Sequence, residues 1–476
     1  MIGFVALAIS CTKDFEQINT DPNNPVEAPS ISILANVIRN YNQNNSNQWG
    51  DMNEPSSWAN HLGKIQYIDE AQYKFRDGVV NGRWSVAYNN INDLDKVIER
   101  EAGEDGNPNY RAMAMTLRAW IYQQTTDRFG DMPYTEAARG DEGITNPSYD
   151  SQESIYIDLL AQLKAANDLY TPVPAFSIGT NDVLFRGDMM KWKRFTNSMR
   201  LRVATRISDV APNVARQHIE EILGSPATYP VMTSNADNAY LWWEPTGTYR
   251  EPWFTDQINR DDHGMCNTLI DYLLDFNDPR LPVYAQPAAS DGEYRGVVSG
   301  AIDGTFELAD ISRIGVIFRE VPDGFTPIMR AAEVHFKIAE AAYRGWNTGG
   351  ISAQQAYEAG VAASLEEYGL DGFDDYIQQP GVAWEGNDEQ IHLQKWISLF
   401  KNGNEAWAET RRTDVPLLDH APGSPYVGQH NRPPFRYPYP VDEVNLNSAN
   451  VTPKLQGIVN HMWGRQLWWD TRTGVN

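Results

Sequence analysis

The sequence predicts an all-α fold, in which a scaffold of paired helices carries long irregular loops. Three observations predict this fold class. Apolar residues recur at helical spacing in each long segment that can be read, and two such segments form a helix-turn-helix unit. Between about residues 230 and 325 the helical pattern breaks into short aromatic and turn-rich pieces.

The first half of the chain contains three predicted amphipathic helices. The first runs through residues 111–122 and ends near Gly130 and Pro133, since glycine and proline stop helices. The other two run through residues 154–167 and 191–206. Each segment places apolar side chains on one face, so each is expected to pack against a neighbour.

The second half contains the helix-turn-helix unit. Residues 331–345 place the small side chains of Ala332 and Ala339 on one face, which allows a partner helix to pack closely. After a short turn, residues 352–369 form a second helix, and the pair has roughly the length of a tetratricopeptide repeat. We therefore expect a tetratricopeptide-like scaffold of degenerate repeats.

The stretch from about residue 230 to 325 is predicted as long loop excursions over this scaffold. Its pieces at residues 240–245, 249–253 and 291–296 combine aromatic residues with proline or glycine. Long irregular loops in compact proteins are usually functional. No low-complexity linker interrupts the chain, so residues 31–476 are predicted to form a single domain.

The composition is that of a folded protein with many aromatic residues, including 15 Trp and 23 Tyr among 476 residues. The formal net charge of −24 and the pI near 4.7 argue against nucleic acid as a partner, because phosphate binding rests on clustered Lys and Arg. The same acidity fits a protein that stays soluble outside a cell and handles a neutral or cationic ligand.

The N-terminus resembles a bacterial lipoprotein signal. Residues 2–10 form an apolar run that is too short to span a membrane, and small Ser10 precedes Cys11 as in a lipobox. We expect residues 1–11 to be a signal remnant, Cys11 to be the lipidation site, and the polar residues 12–30 to be a tether. The alternative is an N-terminal strand with a buried cysteine. No later segment is predicted to span a bilayer.

Six segments, in order, resemble the SusD/RagB-like family, in its branch of starch-binding proteins associated with the outer membrane. They include Asp127-Arg-Phe-Gly-Asp-Met-Pro133 and Asn277-Asp-Pro-Arg-Leu-Pro282. The full segments are residues 11–23, 122–137, 192–202, 277–284, 332–346 and 394–413. The resemblance therefore covers nearly the whole chain.

This resemblance implies a fold of four tetratricopeptide-like helix pairs and a lipid anchor at the cell surface. It further implies a non-catalytic protein that captures an oligosaccharide or polysaccharide and delivers it to a SusC-like, TonB-dependent outer-membrane porin. Some members of the family capture peptides instead, so that alternative stays open.

An oligosaccharide site needs flat aromatic rings flanked by amide, carboxylate and guanidinium groups. Two regions supply such groups: residues 49–84 and the loop excursion around residues 242–253. The candidate ligand-binding residues are Trp49, Trp58, Gln66, Tyr67, Tyr73, Arg76, Trp242, Trp243, Tyr249 and Trp253.

Each of these aromatic residues could equally be a core residue, because tryptophan is highly buried on average. Trp84 has helical spacing to its apolar neighbours, which favours packing. Trp49, Trp58 and Trp253 lie in polar or proline-containing surroundings, which makes them the better ligand candidates. Trp469 near the C-terminus is interpreted as docking the tail.

The sequence contains no nucleophile elbow, zinc-protease motif or phosphate-binding loop. A helical glycoside hydrolase remains the alternative function, since two suitably spaced carboxylates would suffice. No cofactor or catalytic metal is expected. Asp261 and Asp262 could bind a structural calcium ion, but they lack the regular spacing of a calcium loop. Arg411 and Arg412 are interpreted as a cation pair at the end of a helix.

Overall fold

The computed structural model describes residues 28–172, 178–258 and 260–476. The predictions of a signal remnant at residues 1–11, of lipidation at Cys11, and of most of the tether at residues 12–30 lie outside the described residues.

Long α-helices dominate the fold. They are Ser30–Asn45 (α1), Asp77–Arg100 (α2), Pro108–Phe129 (α3), Gln152–Leu169 (α4), Met189–Arg206 (α5), Pro212–Gly224 (α6), Asn267–Asp275 (α7), Ala331–Tyr343 (α8), Ala353–Glu366 (α9), Asp388–Ser398 (α10) and Gly403–Thr413 (α11). Shorter α-helices are Pro55–Trp58, Pro252–Gln257, Leu281–Tyr284, Val316–Arg319, Phe373–Tyr376, Val441–Leu446 and Ser448–Val451. The prediction of an all-α fold is confirmed.

The helix ends follow from local sequence. The Asn107 side chain caps α3 by accepting hydrogen bonds from the backbone N–H groups of Asn109 and Tyr110, and the helix ends at Gly130, whose φ is +76°. Ser352 and Gln355 form a capping box at the start of α9. The predicted helices at residues 111–122, 154–167, 191–206, 331–345 and 352–369 all lie where the structure has helices.

Helices that follow one another in the chain pack together. Each helix from α1 to α6 packs against the next one in the chain, and α8 packs against α9 and α10. The contact between α5 and α8 joins the two halves of the scaffold. None of the helices in the described ranges combines the length and the apolar character that a bilayer crossing requires.

The part of the chain that the structure describes contains three two-stranded antiparallel ribbons. Leu62–Lys64 (β1) pairs with His263–Met265 (β3), Ala239–Trp242 (β2) with Phe325–Met329 (β4), and Ile458–Val459 (β5) with Trp463–Gly464 (β6). The stretch predicted as irregular excursions therefore contains short strands and helices, and β1 ties it to the N-terminal part of the chain.

Aromatic residues form much of the core. The cluster of buried apolar side chains extends along the chain from Leu34 to Trp469. Trp84 packs edge-on against Phe129, as predicted for a packing residue. Trp469 is buried and donates from Nε1 to Asp127 Oδ1 at 2.8 Å, so the C-terminal tail is docked as expected.

Charged side chains also lie in the interior, where helices α5, α8, α10 and α11 meet. The shortest ion pairs are Arg202–Glu333 at 2.6 Å, Arg206–Glu405 at 2.6 Å, Arg412–Glu340 at 2.7 Å and Lys395–Glu409 at 2.7 Å. Arg411 and Arg412 lie in the last turn of α11, which confirms their interpretation as a cation pair at the end of a helix. Both are buried, since the guanidinium groups reach inward to acceptors on other elements.

Candidate functional site

Trp49 lies at a distortion that follows the end of α1. Residues Gln48–Met52 form a single π-helical turn, and the Asn47 side chain accepts hydrogen bonds from the N–H groups of Trp49 at 2.9 Å and Gly50 at 2.8 Å. Such turns are frequent at functional sites. The turn places the indole of Trp49 at the surface, where it is half-buried.

Two open cavities share Trp49 and Asn47 as lining residues. The first, which we call the Arg128 cavity, has a volume of about 240 Å³, and Tyr41, Gly82, Arg83 and Arg128 line it. The second, the Arg260 cavity, has a volume of about 180 Å³, and Gln48, Arg250, Asp256 and Arg260 line it. Trp49 therefore forms a wall common to both cavities.

Two further predicted aromatic residues, Tyr67 and Tyr249, adjoin residues of the Arg260 cavity without lining it. Tyr67 is 67% exposed, and the Arg260 guanidinium carbon lies 4.2 Å from its ring centroid. Tyr249 is half-buried and precedes the lining residue Arg250, while the Arg39 guanidinium lies 5.4 Å from its ring centroid. Trp49 thus lines the Arg260 cavity, whereas Tyr67 and Tyr249 lie beside arginines outside its lining.

Two polar residues among the predicted ligand residues, Arg76 and Gln66, lie next to Trp49 and Tyr67 respectively. The guanidinium carbon of Arg76 lies 5.3 Å from the Trp49 ring centroid. Gln66 precedes Tyr67 and donates from Nε2 to the Asp261 carbonyl oxygen at 3.3 Å. Trp242 is 60% exposed at the end of β2 and packs on Tyr240 and Phe325, outside the lining of both cavities.

Four predicted ligand residues are core residues, which corrects the expectation that their rings are open. Trp58 is 1% exposed, packs edge-on against Trp407, and donates from Nε1 to the Glu70 carbonyl oxygen. Tyr73, Trp243 and Trp253 are buried as well. Each of these four rings is enclosed by residues that are distant in the sequence. The polar neighbours of Trp58 and Trp253 in the sequence therefore did not indicate that these rings are buried.

A buried carboxyl group lies in the same π-helical turn as Trp49. Burial raises the pKa of Asp51 from 3.8 to about 7, while Ser56, Arg128, Arg83 and Gly403 oppose this shift. The Asp51 carboxyl group therefore holds its proton to a higher pH than an exposed aspartate does.

Sequence reasoning missed several cavity residues, among them Tyr41, Asn47, Arg83, Arg128 and Arg260. The signal that could have found Asn47 is the amide-rich run of residues 42–48, directly before Trp49. The sequence around the arginines does not indicate that they line a cavity, because they come from separate elements that meet only in the folded protein.

The acidic residues proposed for calcium contact arginines instead. Asp261 pairs with Arg313 and Arg319, each at 3.0 Å, and Asp262 pairs with Arg260 at 2.7 Å. Calcium binding there stays a prediction.

One group within the described ranges has metal-ligand geometry: the ligand atoms of Glu340, His392 and Glu409 lie within 4.8 Å of one another. Arg412 and Lys395 already neutralise these carboxylates, which favours an ion-pair network over a metal site.

The comparisons with known proteins agree with the fold. A family model described as SusD-like, starch-binding and associating with the outer membrane matches residues 22–440. The structure of a chitin-binding SusD homologue from Flavobacterium johnsoniae superposes with a TM-score of 0.81 at 25% identity, covering 92% of this chain and 99% of that one.

Two further structures are similar over comparable lengths. A chitin-binding protein gives a TM-score of 0.79 at 26% identity, with 93% of this chain and 100% of that one covered. A SusD-like protein from Bacteroides thetaiotaomicron gives 0.78 at 26% identity, with 94% and 99% covered. No curated protein sequence matched the chain. The resemblance seen in the sequence is confirmed, and the chain belongs to the SusD-like family of starch-binding proteins that associate with the outer membrane.

Proposed function

We propose that this protein binds an oligosaccharide at the concave region around Trp49, without cleaving it, and delivers it to a SusC-like, TonB-dependent transporter. The observation that carries the proposal is the half-buried Trp49 indole between two cavities lined by amide and guanidinium groups. A pyranose offers an apolar C–H face to such a ring, and its hydroxyl groups pair with the surrounding donors and acceptors.

The cavity lining supports binding over catalysis. Among the described residues that line the two cavities, Asp256 is the one with a carboxylate. Its Oδ2 lies 3.3 Å from His263 Nδ1. Glycoside hydrolysis ordinarily uses two carboxyl groups about 5 to 10 Å apart. A helical glycoside hydrolase remains the alternative, and a turnover assay decides between the two.

The cellular part of the proposal rests on the family and on the N-terminal sequence. The family associates with the outer membrane, and we propose that a lipid on Cys11 anchors this chain at the cell surface. Two structural relatives are described as chitin-binding. We therefore propose chitin-type and starch-type oligosaccharides as the first ligands to test, with a peptide as the alternative cargo.

Affinity electrophoresis in gels that contain soluble chitin or starch derivatives tests the proposal, together with calorimetry on the matching oligosaccharides and on a peptide. We expect the Trp49→Ala variant to lose retardation. Trp346→Ala is the matched control, because Trp346 is also half-buried under an arginine, Arg344, but lines neither cavity. Release of reducing sugar by the wild-type protein, or binding that is confined to peptides, would contradict the proposal.

A further inference from the structure

The Arg128 cavity has a lining rich in hydrogen-bond donors. Its charged lining residues are Arg83 and Arg128, and no carboxylate belongs to the described lining. Asn47 uses its side-chain oxygen to cap the π-helical turn, so its amide nitrogen remains a donor. The Arg260 cavity on the other side of Trp49 differs, because Asp256 contributes a negative charge there.

Arg83 and Arg128 differ in their partners. Arg83 pairs with the Glu54 carboxylate at 2.9 Å and donates to the carbonyl oxygens of Trp49 and Gly50. Arg128 is 3% exposed, and none of the described carboxylates lies within ion-pair distance of it. The Asp51 carboxyl group interacts with this guanidinium from beyond ion-pair distance.

Neutral side chains hold the Arg128 guanidinium. Nε donates to Asn404 Oδ1 at 3.1 Å, and Nη2 donates to Asn404 Oδ1 at 2.6 Å and to Asn45. The Tyr41 hydroxyl group, on the cavity wall, is a further hydrogen-bond partner of this side chain. The buried guanidinium that lines the cavity is thus surrounded by uncharged partners.

The same cavity has an open wall on helix α2. Gly78 and Gly82 lie one turn apart, and a Cβ atom built on either of them would meet nothing within 4 Å. These two positions leave room for a ligand group between the helix backbone and Trp49.

We propose that the Arg128 cavity binds the carboxylate of an acidic sugar, such as a uronic acid residue, beside the Arg128 guanidinium. A ligand carboxylate supplies a counter-charge within ion-pair distance of Arg128, and a charge-assisted hydrogen bond is roughly twice as strong as one to a neutral carbonyl. The adjoining indole of Trp49 provides a face for the sugar ring, which favours a sugar acid over an acidic peptide. This inference rests on the proposed function and adds the substrate class.

The net charge of −24 repels an anion at long range. At physiological ionic strength this repulsion is screened beyond about 8 Å, whereas contacts inside a partly buried cavity are screened much less. The donors next to the ligand therefore outweigh the distant surface charge.

Titration calorimetry tests the inference. It compares methyl glucuronoside and methyl galacturonoside with the neutral methyl glycosides that carry CH₂OH in place of the carboxylate. Because these ligands are single sugars, the result does not depend on the glycosidic linkage between sugar units. We expect at least one acid to bind 10-fold or more tighter than its neutral partner, which corresponds to about 1.4 kcal/mol. Gly82→Leu should abolish this preference by filling the cavity. Asn89→Leu is the matched control, because Asn89 is exposed on the same face of α2 about 10 Å further along and lines neither cavity.

Equal affinity for acid and neutral glycoside, or a preference that survives Gly82→Leu, would overturn the inference. Acetate or N-acetylglutamate binding as tightly as the sugar acids would overturn the sugar class. If no polysaccharide retards the protein in a Trp49-dependent manner, the proposed function itself fails. Thermal melts of both leucine variants establish that they are folded.

Discussion

Glu70 holds Arg76 above Trp49. Arg76 Nε donates to Glu70 Oε1 at 2.7 Å, and the other oxygen of the same carboxylate accepts from the buried Lys64 ammonium at 2.7 Å. The pair of cations holds the pKa of the Glu70 carboxyl below its usual value although burial opposes this shift. A buried carboxylate thus fixes the position of an exposed guanidinium beside the proposed ligand ring.

Replacing Trp49 by alanine is expected to weaken oligosaccharide binding by about 2 kcal/mol, or roughly 30-fold, the usual effect of truncating a central aromatic contact. Calorimetry with the best oligosaccharide measures this change. Trp346→Ala should bind normally, and a loss of affinity in both variants would show that the effect is not specific to the site.

Replacing Arg76 by alanine is expected to weaken binding by about 0.5 to 1 kcal/mol, or two- to fivefold, because a cation over an exposed ring contributes about this much to holding it. The melting temperature should not change, since the Arg76 side chain is 54% exposed and Glu70 keeps Lys64. Lys74→Ala removes another exposed cation, paired with Asp69, and serves as the control. A large drop in melting temperature for the Arg76 variant would contradict this role.

Trp58→Ala is expected to lower the free energy of unfolding by about 3 to 5 kcal/mol, because the ring fills the core between Trp407 and Tyr437. Urea denaturation measures the change. Tyr67→Ala, at an exposed ring, should lower it by less than about 0.5 kcal/mol. If Trp58→Ala instead removed ligand binding at unchanged stability, the placement of Trp58 in the core would be wrong.

The buried Asp51 carboxyl is expected to make stability depend on pH. Its pKa is about 7 in the folded protein against 3.8 ordinarily, so the folded state binds more protons than the unfolded chain between these values. Stability from this group is therefore lost as pH rises from about 4 to 7.

In Asp51→Asn that loss should disappear. The variant's stability relative to wild type should rise with pH by up to about 4 kcal/mol across this window. Urea denaturation at pH 4, 5.5 and 7.5 gives the comparison, and Asp375→Asn, at an exposed position, should show no such trend. A constant difference between Asp51→Asn and wild type at all three values would refute the assignment.

Arg412→Met is expected to destabilise the protein by about 3 to 5 kcal/mol, because it removes one cation from the buried Glu340 and Glu409 carboxylates, which keep Arg344 and Lys395 respectively. Adding Glu340→Gln should recover part of this loss. Denaturant midpoints of the single and double variants test the coupling, and purely additive effects would show that the two residues act separately.

The helices could be predicted because their signals are local. Apolar spacing and caps such as Asn107 and Ser352 lie within a few residues of the helices that they define. The surroundings of Trp58 are not local: its packing partners Trp407 and Tyr437 come from the far end of the chain. Polar neighbours in the sequence therefore suggested exposure for a ring that the fold encloses.

The candidate site was predictable in part for the same reason. Trp49 stands beside an amide-rich run that marks it as accessible. Arg128 lies inside α3, in which the spacing of apolar residues indicates packing. Its position near Trp49 depends on how α1 and α3 pack together. The charged interior was missed because its shortest ion pairs join residues from different helices.

The shared wall between the two cavities has a consequence for ligand length. A monosaccharide can occupy one side of Trp49 at a time, whereas an oligomer that crosses the indole edge can occupy both sides after a single association. Filling the second side then costs little additional translational freedom. We expect affinity to increase with the number of sugar units until both sides are filled and to remain constant for longer chains.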